Sequence, residues 1–221
     1  MAERARVAIF ISGRGSNMEA LIRAAQDPFY PALIALVVSN RPEAPGLTIA
    51  ESLGVETVRL DHTSFTDKRA FEDALDRHCR TRGIDLIACA GFMRLMSVEF
   101  VEGWRGRMVN IHPSLLPNYP GLNTHERALA DGIRIHGCTV HFVSADVDAG
   151  PIIAQAAVPV HPDDTAELLA QRVLGQEHRL YPMALDWLAS GKVKLAQDRV
   201  IYGFEPEREL ATLMVPRTAK G

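Results

Sequence analysis

Asn110 and His112 stand two residues apart at the start of the stretch NIHPSLLPNYPGLNTH. On an extended segment that spacing puts both side chains on one face. An amide and an imidazolium there can each donate to an oxygen that gains charge, and each donor aimed at an oxyanion is worth about 3 to 4 kcal/mol. The same pair also suits a plainer end, a loop stitched by side-chain hydrogen bonds, and the spacing alone does not choose. Asp148, just before Ala149 and Gly150, reads as a turn former. It reads equally as a carboxylate that keeps His112 protonated or takes a proton from an attacking amine. Three prolines follow His112 closely, each fixing φ and removing a donor. The segment after Asn110 is therefore expected to be a rigid loop leaving a strand, neither a long helix nor a central strand.

A second group is ISGRGSN, residues 11–17. An apolar run, then Gly13 and Gly15 with Ser16 and Asn17, then a helical pattern, presents free backbone N–H groups at a helix N-terminus, where a phosphate is favoured. A dinucleotide fingerprint is incomplete here. Met18 stands where its third glycine belongs, and the next strand candidate ends in Ser39-Asn40-Arg41 without the acidic ribose-binding residue. Arg41 leaves an NADP reading open, and a glycine turn that merely starts a helix is the simplest alternative. Glu177 falls near the centre of an apolar arc made by Leu169, Val173, Leu180, Tyr181 and Ala184, despite the kink that Pro182 introduces. A carboxylate facing a core needs a partner, protein or ligand. His125, His136 and His141 match no familiar spacing of metal ligands, so no metal site is expected.

The elements that must position these residues alternate. Strand candidates lie at 6–12, 32–39, 55–60 and 84–92, and helical segments at 17–26, 44–53 and 67–81, the last capped by Thr66 or Asp67. Near-continuous apolar strands alternating with helices argue for an α/β fold with a Rossmann-like, mostly parallel sheet and helices on both faces. Residues 138–160 read as two further strands around a turn at 148–150, and 165–190 as a long helix.

The chain has 221 residues, 24 Lys+Arg against 27 Asp+Glu, and a net charge of -3. That balance gives no general reason to bind nucleic acid or an anionic membrane, so a small anionic substrate needs a local site. Three cysteines without a CxxC fit neither a disulfide framework nor a zinc site, and no apolar run is long enough for a signal peptide or a span. A soluble cytoplasmic protein is expected. With no linker composition in view, residues 1–203 are read as a single domain and 204–221 as a tail.

The motifs ISGRGSN, AGFMRLMS, NIHPSLLPNYPGLNTH, HGCTVHFV, DVDAGPIIAQ and QEHRLYP, in this order and spacing over about residues 6–190, resemble the phosphoribosylglycinamide formyltransferase (GAR transformylase) family. The resemblance implies the formyltransferase fold and formyl transfer from 10-formyltetrahydrofolate to the amine of glycinamide ribonucleotide in purine biosynthesis, without a metal. It implies that Asn110, His112 and Asp148 are the catalytic set. Gly15, Ser16 and Asn17 would hold the ribonucleotide phosphate, and Glu177 would accept from its ribose hydroxyls. Arg94, Leu95 and Met96, with the loop from Val143 to Asp148, would line the pterin site beside Asn110, and Lys68 would lie near the folate tail. Leu174 departs from a usually polar position. The phosphate site would then fall in the N-terminal half and the folate and catalytic site toward the C-terminal half. Small molecules are the expected partners, with monomer and homodimer both open. Formyltetrahydrofolate hydrolase, another folate-dependent formyltransferase such as the tRNA-acting kind, and a non-catalytic folate or nucleotide binder are the competing readings.

Overall fold

The computed structural model describes residues 3–205 and Val215. Seven strands, β1 (Ala5–Ile11), β2 (Ala32–Ser39), β3 (Thr57–Arg59), β4 (Leu86–Cys89), β5 (Met108–His112), β6 (Ile135–Phe142) and β7 (Ile152–Pro159), form one sheet in the order β3-β2-β1-β4-β5-β6-β7. The pairings from β3 through β5 are parallel, and β5–β6 and β6–β7 are antiparallel. A two-stranded ladder, β8 (Val193–Ala196) with β9 (Arg199–Tyr202), follows. This is the mostly parallel α/β sheet that the strand-helix alternation predicts.

Double burial explains the apolar runs. In β1, Val7, Ile9 and Ile11 join one core cluster while Ala8 and Phe10 join another, and all five are fully buried. The first cluster takes in Met18 and Leu21 of α1 (Ser16–Ala25), Leu47 of α2 (Pro45–Ser52) and Leu169, Val173 and Leu185 of α6 (Ala166–Ala189). The second takes in Phe71 and Leu75 of α3 (Lys68–Thr81) and Phe100 of α4 (Val98–Gly103). Helices thus cover both faces. Ala35 is an extra residue of β2 between the pairs Val7–Ile34 and Ala8–Leu36, so Ile34 and Val37 reach the same cluster although three apart.

Several boundaries differ from the sequence expectation. The strand β4 uses only the middle of the apolar run 84–92, because Gly91, at φ 76, turns the chain away. β5 continues through His112 and lies inside the sheet between β4 and β6, so a central strand does extend past Asn110. The first proline is residue 113, and it removes ladder donors only from there onward. Of the two cap candidates for α3, Asp67 is the one used, accepting from the Ala70 N–H at 2.8 Å. The short helices α4 and α5 (Thr124–Ala130) and the β8–β9 ladder are absent from the sequence reading. They have too few turns to show a period. Of the expected tail, Phe204 packs its ring 5.1 Å from that of Trp187, while 206–214 and 216–221 lie outside the described residues. Among the described residues no helix is long and apolar enough to cross a membrane.

In this strand order the chain leaves β1 toward β2 on one side and comes back to β4 on the other. The carboxyl ends of β1 and β4 are therefore neighbours at a topological switch point, the usual place for a ligand crevice in such sheets.

Candidate active site

The glycine loop after β1 leads into α1 with Gly15 at the N-cap, φ 73, and no side chain capping the helix. A Cβ on Gly15 would stand 3.2 Å from the Gly46 Cα, so the loop needs glycine for both its conformation and its contact. The Gly46 N–H donates to the Gly13 carbonyl at 3.1 Å and ties α2 to the loop. Met18, at the position of the missing third glycine, is fully buried. Asn17 donates through Nδ2 to Glu177 Oε2 at 2.6 Å. Glu177 is buried; burial raises its carboxyl above the ordinary range, against the lowering effect of the Asn17 bond. Asn17 Oδ1 is also buried and accepts no hydrogen bond. The fold thus brings Asn17 of the glycine loop to Glu177, and the partner that a core-facing Glu177 requires is Asn17.

Alternation along β5 puts Val109 and Ile111 in the core with α6, and Asn110 and His112 on the opposite face with Met108. His112 is buried, with Nε2 2.9 Å from the Tyr119 carbonyl and Nδ1 3.2 Å from Asp148 Oδ2. A carbonyl and a carboxylate only accept, so the ring satisfies both contacts when it carries both protons. Neither ring nitrogen is left over. Asp148 sits at φ 52 in the turn, and its Oδ2 also accepts from the Gly121 N–H at 2.8 Å. It is thus a turn residue whose carboxylate joins the proline loop to His112. Gly150 permits that excursion: a Cβ there would lie 1.8 Å from the Phe142 carbonyl oxygen.

Asn110 is held from the next strand. It pairs across the ladder with His141, and its Nδ2 lies 3.3 Å from His141 Nε2. The His141 Nδ1 faces the Phe142 carbonyl at 2.8 Å and must donate to it, which leaves Nε2 as the acceptor for the Asn110 amide. Burial, outweighing the Phe142 and Asp148 contacts, lowers the pKa of His141 and favours this neutral ring. The proline loop is stitched separately: Thr139 Oγ1 donates to the Ser114 carbonyl and accepts from the Leu116 N–H, while Gln155 donates to the Leu116 carbonyl. The stitched-loop reading thus holds for the loop itself, without Asn110.

His141 and Tyr119 are the members that the sequence does not assign to the set. Cross-strand register, which brings His141 opposite Asn110, is invisible in one sequence. Tyr119 contributes only a backbone oxygen. His125 and His136 pack edge to face at 5.3 Å, and among the described residues no group of three or more His, Cys, Asp and Glu could hold a metal.

The remaining predicted residues stand on the α3–α4 face. Lys68, exposed in the first turn of α3, has its Nζ 3.9 Å from Glu72 Oε1. The Arg94 guanidinium lies 5.9 Å over the Phe71 ring. Met96 and Val143 pack on the same core cluster, and Leu95 is exposed.

His136, fully buried against Tyr119 and His125, carries a stability prediction. Burial, reinforced by His125 and His112, lowers its pKa from 6.5 to about 4. A lowered folded pKa means the neutral ring is the stabilised form. Its contribution is complete above pH 6.5 and is lost as pH falls through about 4. His136→Phe should lose about 1 to 3 kcal/mol less over that window than the parent, read from Tm against pH.

The chain thus joins a mostly parallel α/β sheet, a glycine loop at an uncapped helix N-terminus and an Asn-His-Asp group at the end of β5. Residues 5–185 match the formyl transferase family model, and the chain belongs to that family. The solved phosphoribosylglycinamide formyltransferase of Brucella melitensis is 55% identical, with a TM-score of 0.82 over 86% of this chain and 97% of that one. The Escherichia coli protein of the same name is 40% identical over 87% of this chain and 91% of its own length. The human trifunctional purine biosynthetic protein adenosine-3 is 46% identical over 89% of this chain, which spans only 19% of that longer protein.

Proposed function

We propose that this chain transfers the formyl group of 10-formyltetrahydrofolate to the amine of glycinamide ribonucleotide in purine biosynthesis. The observation that carries the reading is the gathering of Asn110, His112 and Asp148 at the end of β5, with Asp148 3.2 Å from His112 and 3.8 Å from His141, whose Nε2 faces the Asn110 amide at 3.3 Å. The amine attacks the formyl carbon, forming the new C–N bond and a tetrahedral oxyanion. Asn110 donates to that oxygen from an amide held by His141, while the positive His112 stabilises it through its charge, or by exchanging the Tyr119 carbonyl for the oxyanion. Asp148 keeps His112 charged and receives the amine proton directly or through one water. The intermediate then collapses: the carbonyl re-forms, the bond from the formyl carbon to the folate nitrogen breaks, and that nitrogen leaves with the proton that Asp148 took from the amine.

The ribonucleotide is assigned to Gly15, Ser16, Asn17 and Glu177. An uncapped helix N-terminus suits its phosphate, and the unsatisfied Asn17 Oδ1 beside the Glu177 carboxylate suits its hydroxyls. The folate is assigned to Lys68, Arg94, Leu95, Met96, Val143 and Asn110, where exposed apolar surface adjoins two cations. Residues 1–203 form one formyltransferase domain in this reading, a cytoplasmic enzyme of small molecules acting as monomer or homodimer. Incubation with both substrates, with detection of formylated ribonucleotide and deformylated folate, tests it. Deformylation equally fast without the ribonucleotide would establish the hydrolase instead.

Gly15→Val is expected to raise the KM for the ribonucleotide about tenfold or more and leave the folate KM within about twofold, since a Cβ obstructs the loop where the phosphate approaches. Equal loss for both substrates would mean general misfolding.

A further inference from the structure

We infer that Ser12 is a positioning residue that holds the folate-binding segment against the ribonucleotide loop, an inference that rests on the function proposed above. Ser12 is the residue between the end of β1 and Gly13, and it is buried at the switch point. Its hydroxyl donates to Asn40 Oδ1 at 2.5 Å and accepts from the Met93 N–H at 2.8 Å, while its own N–H donates to the Gly91 carbonyl at 3.1 Å. Asn40 is equally buried, and its carbonyl accepts from His62 Nδ1 at 2.9 Å. One small side chain therefore joins three strand ends: β1 before the glycine loop, β2 through Asn40, and the segment after β4 through Met93.

That segment, residues 92–96, has no helix or strand of its own. Met93 and Leu95 are exposed. Its far end is fixed by Glu72, which accepts from the Ser97 N–H at 2.7 Å and from the Ser97 hydroxyl. The near end depends on Ser12. Without the hydroxyl, the Met93 N–H and the buried Asn40 Oδ1 each lose a partner. Among the described residues the segment is then held at its near end only by the Ser12 N–H to Gly91 bond and the packing of Phe92 on Phe10, which lets it shift relative to the glycine loop. The glycine loop keeps its separate tie through Gly13 and Gly46. The effect should therefore fall on the folate.

Ser12→Ala is expected to raise the KM for 10-formyltetrahydrofolate about fivefold to tenfold, with the ribonucleotide KM within about twofold. Ser12→Thr keeps the hydroxyl and should recover most of the loss. Asn40→Ala, which leaves Ser12 in place but removes the group that orients it, should shift the same KM in the same direction and serves if Ser12→Ala does not fold. An unchanged folate KM in both variants, or a parallel rise in both KM values with a lowered Tm, overturns the inference. Parent protein that neither binds nor deformylates 10-formyltetrahydrofolate would instead overturn the functional reading beneath it.

Discussion

Replacement of Asn110 or His112 by alanine is expected to lower kcat about 100-fold or more while both KM values change only a few-fold. The oxyanion exists only on the way to product, so a donor or charge aimed at it contributes little to substrate binding. The two losses should not add fully. Both residues lie within one network, since Asp148 touches His112 and also lies 3.8 Å from His141, the residue that holds Asn110. Asp148→Asn keeps the shape of the turn and its contact with Gly121, yet places a neutral amide beside His112. Its effect should also fall on kcat, and rate measurement with saturating substrates reads it. Parent kcat in the Asn110 or His112 variants would refute the mechanism. A change in Tm alone for Asp148→Asn would leave Asp148 as a turn residue.

The second large effect is expected at Glu177. Glu177→Gln should weaken ribonucleotide binding by about 1 to 3 kcal/mol and leave folate binding near the parent value. Glutamine can still accept the Asn17 bond, so the variant separates charge from packing. Burial disfavours the ionised carboxylate in the free protein. The substitution should therefore leave Tm unchanged or higher at neutral pH, while a ligand that donates hydrogen bonds loses its charged acceptor. Calorimetric titration of both ligands, with Tm measured alongside, decides it: an unchanged ribonucleotide Kd with a lowered Tm makes Glu177 purely structural.

Local chemistry made much of this molecule legible in advance. Double burial writes β1 and β2 as apolar runs, and Glu177 stands out because a lone charge on an apolar arc breaks a periodic pattern. Asn110 and His112 are readable because a spacing of two has a fixed meaning on extended backbone. What could not be read depends on distant contacts. The bulge at Ala35 changes which face Val37 occupies, yet Ala35 looks like any other strand residue. The pairing of Asn110 with His141 spans 31 positions and follows from register alone. Ser12 resembles any serine before a glycine turn until Asn40 and Met93 are folded against it.

The placement of β5 between two hydrogen-bonded neighbours also bears on which length changes this family can accept. Side chains in a strand alternate by one residue, and both ladders fix the register of Met108–His112. Deleting one residue within those five would reverse the facing of the residues beyond it, turning the imidazole toward α6 and an apolar side chain toward the substrates. Deleting one from 113–121 would keep that facing but pull the Tyr119 carbonyl from His112 or the Gly121 N–H from Asp148. Insertions and deletions among homologues should therefore be excluded from the strand and from the loop as far as Gly121, so that an ungapped block in an alignment marks where the chemistry is anchored.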